Sequence, residues 1–443
     1  MKSIWAETKQ QKFGKPPASD IERNIVVVGG GIAGVLTAYF LTERGEKVTL
    51  IEANRLFSGV THNTTAHITA QQGYIYFDLA KNKSKEFLEL YYQSQLRGIK
   101  EFENLIKKYK IDCDFERVDD YLFTITQPKK LKKMYDILTQ IGADTEYYEN
   151  KEILGFQVKA VIKMKNQAMF HPIKFLNGLP LNFEIFEDTR ILDVDLNKKV
   201  LYTANHTITA NKIIIATNYP IINLKGTYFL KLYKSQSYAV ITNNSHDIKG
   251  MYQGDFENGL TFRNMHNQII IGGLDHRTGR ADSENKFERL KSVAKKYFKN
   301  AKILNNWSAN DTVTFDGLPI TGPFSKKYKD IYIITGFNKW GMANSMTNSQ
   351  LITDLITENK NDFKEIFSPQ RFRFSLTSFL ISLGVSIKNL TKPILIPLSS
   401  HRKLKNGAGG IVWYKFKKKA VYKDDEGKLH ICSPFCKHFS LLF

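Results

Sequence analysis

Val26-Val27-Val28-Gly29-Gly30-Gly31-Ile32-Ala33-Gly34 sets the architecture of this chain. The β-branched run from Ile25 to Val28 suits a strand buried on both faces, as in a parallel sheet. It breaks into glycines and then into an apolar helical pattern, Val35 to Leu41. Gly29, Gly31 and Gly34 fit the spacing G-x-G-x-x-G. The first glycine permits a tight turn, the second lets a pyrophosphate approach the backbone, and the third lets the helix pack close to the strand. The helix N-terminus then offers N–H groups and a positive dipole end to phosphates. Lys47–Ile51 reads as the return strand, ending at Glu52, 18 residues after Gly34. A carboxylate there can accept hydrogen bonds from a ribose 2′-OH. Glycine-rich turns are common, so it is the order strand, turn, helix, strand, acid that makes this a dinucleotide site.

With 443 residues, 42% hydrophobic and 24% charged, the chain is ordinary globular material, long enough for about two to three domains. No run approaches about 18 apolar residues, so no transmembrane helix is expected. Met1 to Pro17 is polar and lacks the apolar core of a signal peptide. Three cysteines argue against a disulfide framework and fit a reducing cytoplasm. The net charge of +21 admits a nucleic-acid or anionic-membrane partner. The lysines are spread along the chain without a nucleic-acid motif, so the charge reads as a lysine-rich surface. From Lys360 onward 16 Lys/Arg face 5 Asp/Glu, which makes the tail the most basic part.

Residues 1–22 read as a lead-in kept extended by Pro16-Pro17. Residues 53–78 form a polar loop placed to line a cofactor. From Ser84 to Tyr109 apolar residues recur at helical spacing, giving a long amphipathic helix. Further on, strands are expected at 121–125, 187–194, 200–203 and 212–217, with helices at 130–141 and 174–179. Leu260–Arg263 and Gln268–Gly272 flank a hairpin loop within a β-rich region, 226–280. A helix over 284–298, a glycine- and proline-punctuated loop over 311–323, a strand at 331–335 and a helix at 343–356 follow. Gly336–Met342 is thus a second strand–glycine turn–helix. Residues 361–400 read as a linker with one helix, 376–387, and residues 401–443 as a small strand-rich unit.

With these motifs in place, residues 20–360 resemble the D-amino-acid-oxidase-like family of FAD-dependent oxidoreductases, of the glycine- or sarcosine-oxidase type. The matching pieces are Gly29-x-Gly31-x-x-Gly34, Glu52, the strand end Ala216-Thr217, Asp316-Gly317-x-Pro319 and Gly336-Phe337-x-x-Trp340-Gly341-Met342. The resemblance implies an α/β fold: a Rossmann-like FAD-binding domain with an inserted antiparallel β-rich substrate domain. The FAD-binding parts would be about 23–80, 170–225 and 311–360, and the substrate parts about 81–169 and 226–310. It also implies that Gly29, Gly31, Ile32, Ala33 and Gly34 cradle the pyrophosphate, that Glu52 holds the ribose with Ala53 and Arg55 beside it, and that Ile191 reaches the adenine side. Thr61 and Thr65 would sit near the isoalloxazine, and Gly341 and Met342 would face its pyrimidine edge, where a helix N-terminus stabilises negative charge. Some relatives attach FAD through a histidine in the loop after the ribose strand. His62 and His67 lie there, but the attachment position falls on Asn63, so FAD is expected to be non-covalent. His171, before Pro172, reads as a turn residue.

The tail resembles the first half of a Rieske iron–sulfur domain through Gly409-Gly410-Ile411-Val412, Ala420–Lys423, Gly427–His430 and Cys436-Lys437-His438. A Rieske [2Fe–2S] cluster takes two Cys and two His. Cys436 and His438 supply one pair, the sequence ends five residues later without a second C-x-x-H box, and Cys432 matches no ligand position. The expectation is a truncated, clusterless module at 401–443; a zinc half-site completed by another chain is the alternative.

The family oxidises an amine or amino acid by hydride transfer to flavin N5, and its imine product is hydrolysed. A substrate carboxylate would want the bidentate fork of an arginine. Arg263 is the first candidate and Arg277 the second, with Tyr252 and His276 in the same pocket. Without a cluster, oxygen or a separate electron carrier would reoxidise the flavin. Two other readings compete: a flavin-binding relic without turnover, and a basic nucleic-acid-associated flavoprotein that would bind with a steep salt dependence.

Overall fold

The computed structural model describes residues 3–434 except 10–11, 224, 244–246, 256–258, 279–284, 299 and 372–399. Strand β1 (Ile21–Val28) runs through the glycine turn into helix α1 (Ile32–Glu43), which returns as β2 (Val48–Ile51). The chain then makes the long helix α2 (Lys85–Tyr109), comes back to the same sheet as β3 (Thr207–Ile215) and β4 (Ile331–Thr335), and ends this unit with α3 (Gly341–Ile356). The sheet order is Ile320–Pro323, β4, β3, β1, β2, Glu184–Phe186. All neighbours from β4 to Glu184–Phe186 are parallel, and Ile320–Pro323 is an antiparallel edge. The centre of the sheet, Ile25 to Val28 and Ile213 to Ile215, is buried throughout, as a sheet covered on both faces requires.

Helix α1 is apolar nearly all round because it is enclosed, with Ile32–Tyr39 buried. Helix α2 is amphipathic, is capped by Ser84 and ends at Lys110 in the left-handed region. It lies so close to α3 that a Cβ on Gly98 would sit 2.6 Å from the Ala343 carbonyl oxygen. The Thr347 hydroxyl donates to the Ser94 carbonyl across the same contact (2.6 Å).

A second sheet of nine strands runs Ile303–Thr314, Leu232–Thr242, Gln268–Arg277, Leu260–Met265, Met251–Gly254, Glu116–Thr124, Phe156–Met169, His67–Ile68, with Thr145–Ile153 also on Phe156–Met169. It is antiparallel except where Met251–Gly254 runs parallel to Glu116–Thr124, a departure from the wholly antiparallel expectation. Residues 303–314 and 320–323 are strands, where a loop was expected from 311; Asp311–Thr314 pair with Leu232–Ser235. The expected strand 187–194 is instead two short ones, Glu184–Phe186 and Asp193–Asp195. The hairpin loop is His266-Asn267, two residues shorter than read, because pairing continues to Met265 and Gln268.

The N-terminal segment is more than a lead-in. Trp5 is fully buried, donates from Nε1 to the Thr64 carbonyl (2.8 Å) and meets the His171 ring edge-on.

The C-terminal unit is a three-stranded antiparallel sheet, Ala408–Tyr414, Lys417–Lys423 and Leu429–Cys432, around Leu404, Val412 and Val421. The expected helix 376–387 and the pair Cys436 and His438 lie outside the described residues. No helix of the described residues is long and apolar enough to cross a membrane.

Candidate functional site: a cavity between a nucleotide turn and a β-sheet

The glycine turn is built by close approach. Gly29 has φ +114°, and a Cβ there would lie 2.5 Å from the Ala216 carbonyl oxygen. A Cβ on Gly34 would lie 1.8 Å from the Gly29 oxygen, so this glycine lets α1 sit against the turn. The Gly30 N–H donates to Glu52 Oε2 (2.6 Å) and the Asn54 N–H to Oε1 (2.8 Å), which fixes the carboxylate at the end of β2. Thr61 Oγ1 accepts from the Ile32 N–H (2.9 Å), so a side chain from the polar loop caps α1.

A cavity of about 690 Å³ opens at this turn, within the usual range for ligand pockets of roughly 300–1,000 Å³. Gly29, Gly31, Ile32 and Ala33 line one part of it, with Glu52, Ala53, Arg190 and Ile191 beside them. Ala216, Thr217, Gly336, Trp340, Gly341 and Met342 line another part. Two helix N-termini, those of α1 and α3, therefore open into one space, and neither carries an acidic residue in its first turn. Both offer positive potential to an anionic ligand.

The nine-stranded sheet supplies the opposite wall. Trp307, Ala309 and Asp311 alternate along one strand and line the cavity; the consecutive Ser237, Tyr238 and Ala239 line it from the next strand, where the register shifts between Gln236 and Tyr238, and Gly273 and Asp275 line it from the third. Lys339 reaches across from the loop before α3 to an ion pair with Asp275. Asn338 and Lys339 both adopt left-handed backbone, φ 52° and 73°. That conformation costs of order 1 kcal/mol or more per residue. It is held because Asn338 Oδ1 accepts from the Thr314 N–H (2.7 Å) and hydroxyl (3.0 Å). Burial pushes the Asp311 carboxyl up to about 6, against the pull of Lys339 and Lys234. His67 also lines the cavity; burial and then the Arg263 charge push it down to about 3, so it is neutral, and neither ring nitrogen has a hydrogen-bond partner among the described residues.

Residues 24–355 match the family described as FAD dependent oxidoreductase. The chain belongs to that family. It is 30% identical over 438 residues to YhfW of Bacillus subtilis (strain 168), a protein provisionally named a Rieske 2Fe-2S iron-sulfur protein, covering 95% of this chain and 86% of that one. It is 21% identical over 370 residues to the gamma-glutamylputrescine oxidoreductase of Escherichia coli (strain K12), covering 77% and 85%. Its fold is similar to that of glycine oxidase from Geobacillus kaustophilus, with a TM-score of 0.68 at 18% identity over 80% of this chain and all of that one.

The cavity of this FAD-dependent oxidoreductase fits its cofactor. A Cβ on Gly31 would meet nothing but Thr61 Oγ1, at 3.4 Å, so the fold leaves space there for close approach of a phosphate. Glu52 still has acceptor capacity for ribose hydroxyls, since a carboxylate can take about four hydrogen bonds and the two described use half of them.

Several expected residues do other work. Gly34 packs α1 and does not line the cavity. Arg55 pairs with the buried Glu187. Thr61 and Thr65 both line the cavity, Thr61 at the start of α1 and Thr65 near the sheet, where a Cβ on Gly272 would lie 3.1 Å from its methyl group.

The four substrate candidates are corrected: none lines the cavity. Arg263 is buried, and its Nε and Nη1 donate to the carbonyls of Asn264, Thr65, Ala66 and Phe170. It ties the polar loop to the sheet. Tyr252 is buried against Tyr121 and donates to the Ile248 carbonyl (2.6 Å). His276 stacks on Tyr238 (5.9 Å between centroids). Arg277 lies over the rings of Tyr233 and Phe315.

Among the cavity-lining residues that the sequence reading did not single out are Lys339, Asp275, Asp311, Asp255 and Tyr238. Reading 303–314 as a strand would have exposed the alternation Trp307-x-Ala309-x-Asp311. Nothing local marks the others, because pairing across the sheet brings them together.

Among the described residues no group of His, Cys, Asp and Glu is placed to hold a metal ion.

Proposed function

We propose that this oxidoreductase acts on the C–N bond of an amine or amino acid, with FAD held non-covalently in the cavity. The observation that carries the reading is that one cavity joins a dinucleotide-binding turn to a sheet face bearing Tyr238, Asp255, Asp275 and Asp311. When bound, FAD supplies a two-electron acceptor for a hydride from the carbon bearing nitrogen. The chain's own groups bind and orient. The turn at Gly29–Ala33 takes the pyrophosphate, and Glu52 accepts from the adenosine ribose. The α3 N-terminus, at Gly341 and Met342, favours negative charge beside it. The apolar walls, Trp307, Leu260 and Met342, exclude water from the reacting carbon.

The names of relatives support this reading: a gamma-glutamylputrescine oxidoreductase in sequence and a glycine oxidase in fold. The provisional name of YhfW supports assigning residues 401–443 to a Rieske-related module. Oxygen or a separate electron carrier would take the electrons onward, and the few cysteines fit a cytoplasmic setting.

The test is a visible spectrum of the purified protein before and after anaerobic addition of glycine, sarcosine, proline, D-alanine and putrescine. Flavin bands near about 370 and 450 nm that one compound bleaches are the expected result. A colourless protein that cannot be reconstituted with FAD refutes the reading. Bands that no compound bleaches would favour a flavin-binding relic.

A further inference from the structure

We propose that Asp311 is a cation seat, and that the cavity selects a diamine over an amino acid; this rests on the oxidoreductase reading above. Asp311 is enclosed by protein yet partly accessible, and it lines the cavity. The other two carboxylates on the sheet side each have a partner on one oxygen, although Asp255 Oδ1 has none among the described residues. Asp275 pairs with Lys339, and Asp255 Oδ2 accepts from the Thr124 hydroxyl (2.6 Å) and the Tyr74 hydroxyl (3.0 Å). For Asp311, among the described residues, there is neither a hydrogen bond to its carboxylate nor a cation within 4 Å. The nearby Lys234 turns its ammonium to the Asn310 carbonyl (2.5 Å) and the Thr312 hydroxyl (3.4 Å).

A carboxylate so largely enclosed and without a hydrogen-bond donor is costly, and its natural complement is a cation. The cavity is also poorly suited to a substrate carboxylate. The one arginine among its described lining residues is Arg190, and it stands beside Ile191 within reach of Asn54, at the Glu52 end. Lys339 is committed to Asp275. An α-amino acid would bring its carboxylate to a wall of three aspartates. A diamine brings none. Its reacting nitrogen must first give its proton to solvent, so that the lone pair can form the C=N bond as the neighbouring carbon gives up its hydride to the two-electron acceptor named above. The charge that Asp311 holds is therefore that of the second nitrogen.

The experiment uses the FAD-loaded full chain, with putrescine as the cation probe and glycine, sarcosine, D-alanine and proline as carboxylate-bearing probes. Flavin reduction is followed anaerobically against probe concentration, and FAD affinity is titrated separately. The expected result is half-saturation with putrescine at least about tenfold below that of any amino acid. Asp311→Asn should raise the putrescine value about 10- to 100-fold with FAD affinity within about threefold, and Asp311→Glu, which keeps the charge, should recover part of the loss. An amino acid that saturates at lower concentration than putrescine overturns the proposal, as does an Asn variant with unchanged half-saturation. Weaker FAD binding in that variant with unchanged selectivity also overturns it and gives Asp311 to the cofactor. Failure of the underlying reading looks different: no FAD is taken up, or no probe of either class reduces it, and the proposal falls with it.

Discussion

Substituting Gly31 by alanine separates the cofactor's demands from those of the fold. Gly31 has φ −75° and ψ 176°, an extended conformation open to any residue. An added Cβ would make one ordinary contact, 3.4 Å to Thr61 Oγ1. The protein without cofactor should therefore tolerate alanine, with an unchanged midpoint of thermal unfolding. With FAD, the methyl occupies the space through which the pyrophosphate approaches the backbone. Overpacking of that kind costs about 1–3 kcal/mol, or roughly 5- to 150-fold in affinity. Gly34→Ala is the contrast. Its Cβ would lie 1.8 Å from the Gly29 oxygen, and α1 must retreat by about 1.2 Å to reach the shortest separation real Cβ atoms show, 3.0 Å. That strain is present with or without cofactor, so Gly34→Ala should lower the unfolding midpoint of the cofactor-free protein by several degrees. FAD affinity is read from the quenching of flavin fluorescence, and stability from thermal unfolding of the stripped protein. If Gly31→Ala binds FAD as tightly as the parent, or destabilises the stripped protein as much as Gly34→Ala does, the pyrophosphate does not sit at this turn.

Arg263→Ala should cost about 3 kcal/mol or more, because it strips the Thr65, Ala66 and Phe170 carbonyls of a buried donor; urea unfolding measures the loss, and a raised KM with unchanged stability would restore Arg263 to a substrate role. Asp120 gives a pH signature. Burial holds its carboxyl up at about 7, outweighing the hydrogen bonds from Thr69 and Gln253. The folded state thus keeps a proton that the unfolded chain releases above about 4, so this group's contribution is full below about 4 and declines as the pH rises to 7. Asp120→Asn should remove that decline and be relatively more stable at pH 8 by a few kcal/mol, at about 1.4 per unit of pKa difference. Parallel urea midpoints for parent and variant that fall together across this range would refute it.

The nucleotide half of the protein is written locally. Buried β-branched strands, a glycine turn, an apolar helix and Glu52 are each set by backbone sterics or by burial within a few residues, so they can be read along the chain. The second strand–turn–helix at 331–356 was legible for the same reason. The substrate wall was not. Arg263 looked like a carboxylate clamp, but strand pairing carries it under the sheet, where backbone carbonyls take its donors. Asp311, Asp275 and Lys339 are far apart in sequence and share a cavity because strands 303–314, 232–242 and 268–277 lie side by side and the loop before α3 folds over them. Which polar side chain meets a ligand depends on strand register, since a shift of one residue turns it to the other face. Register is fixed by pairing between distant segments, and that is where reading along the chain stops.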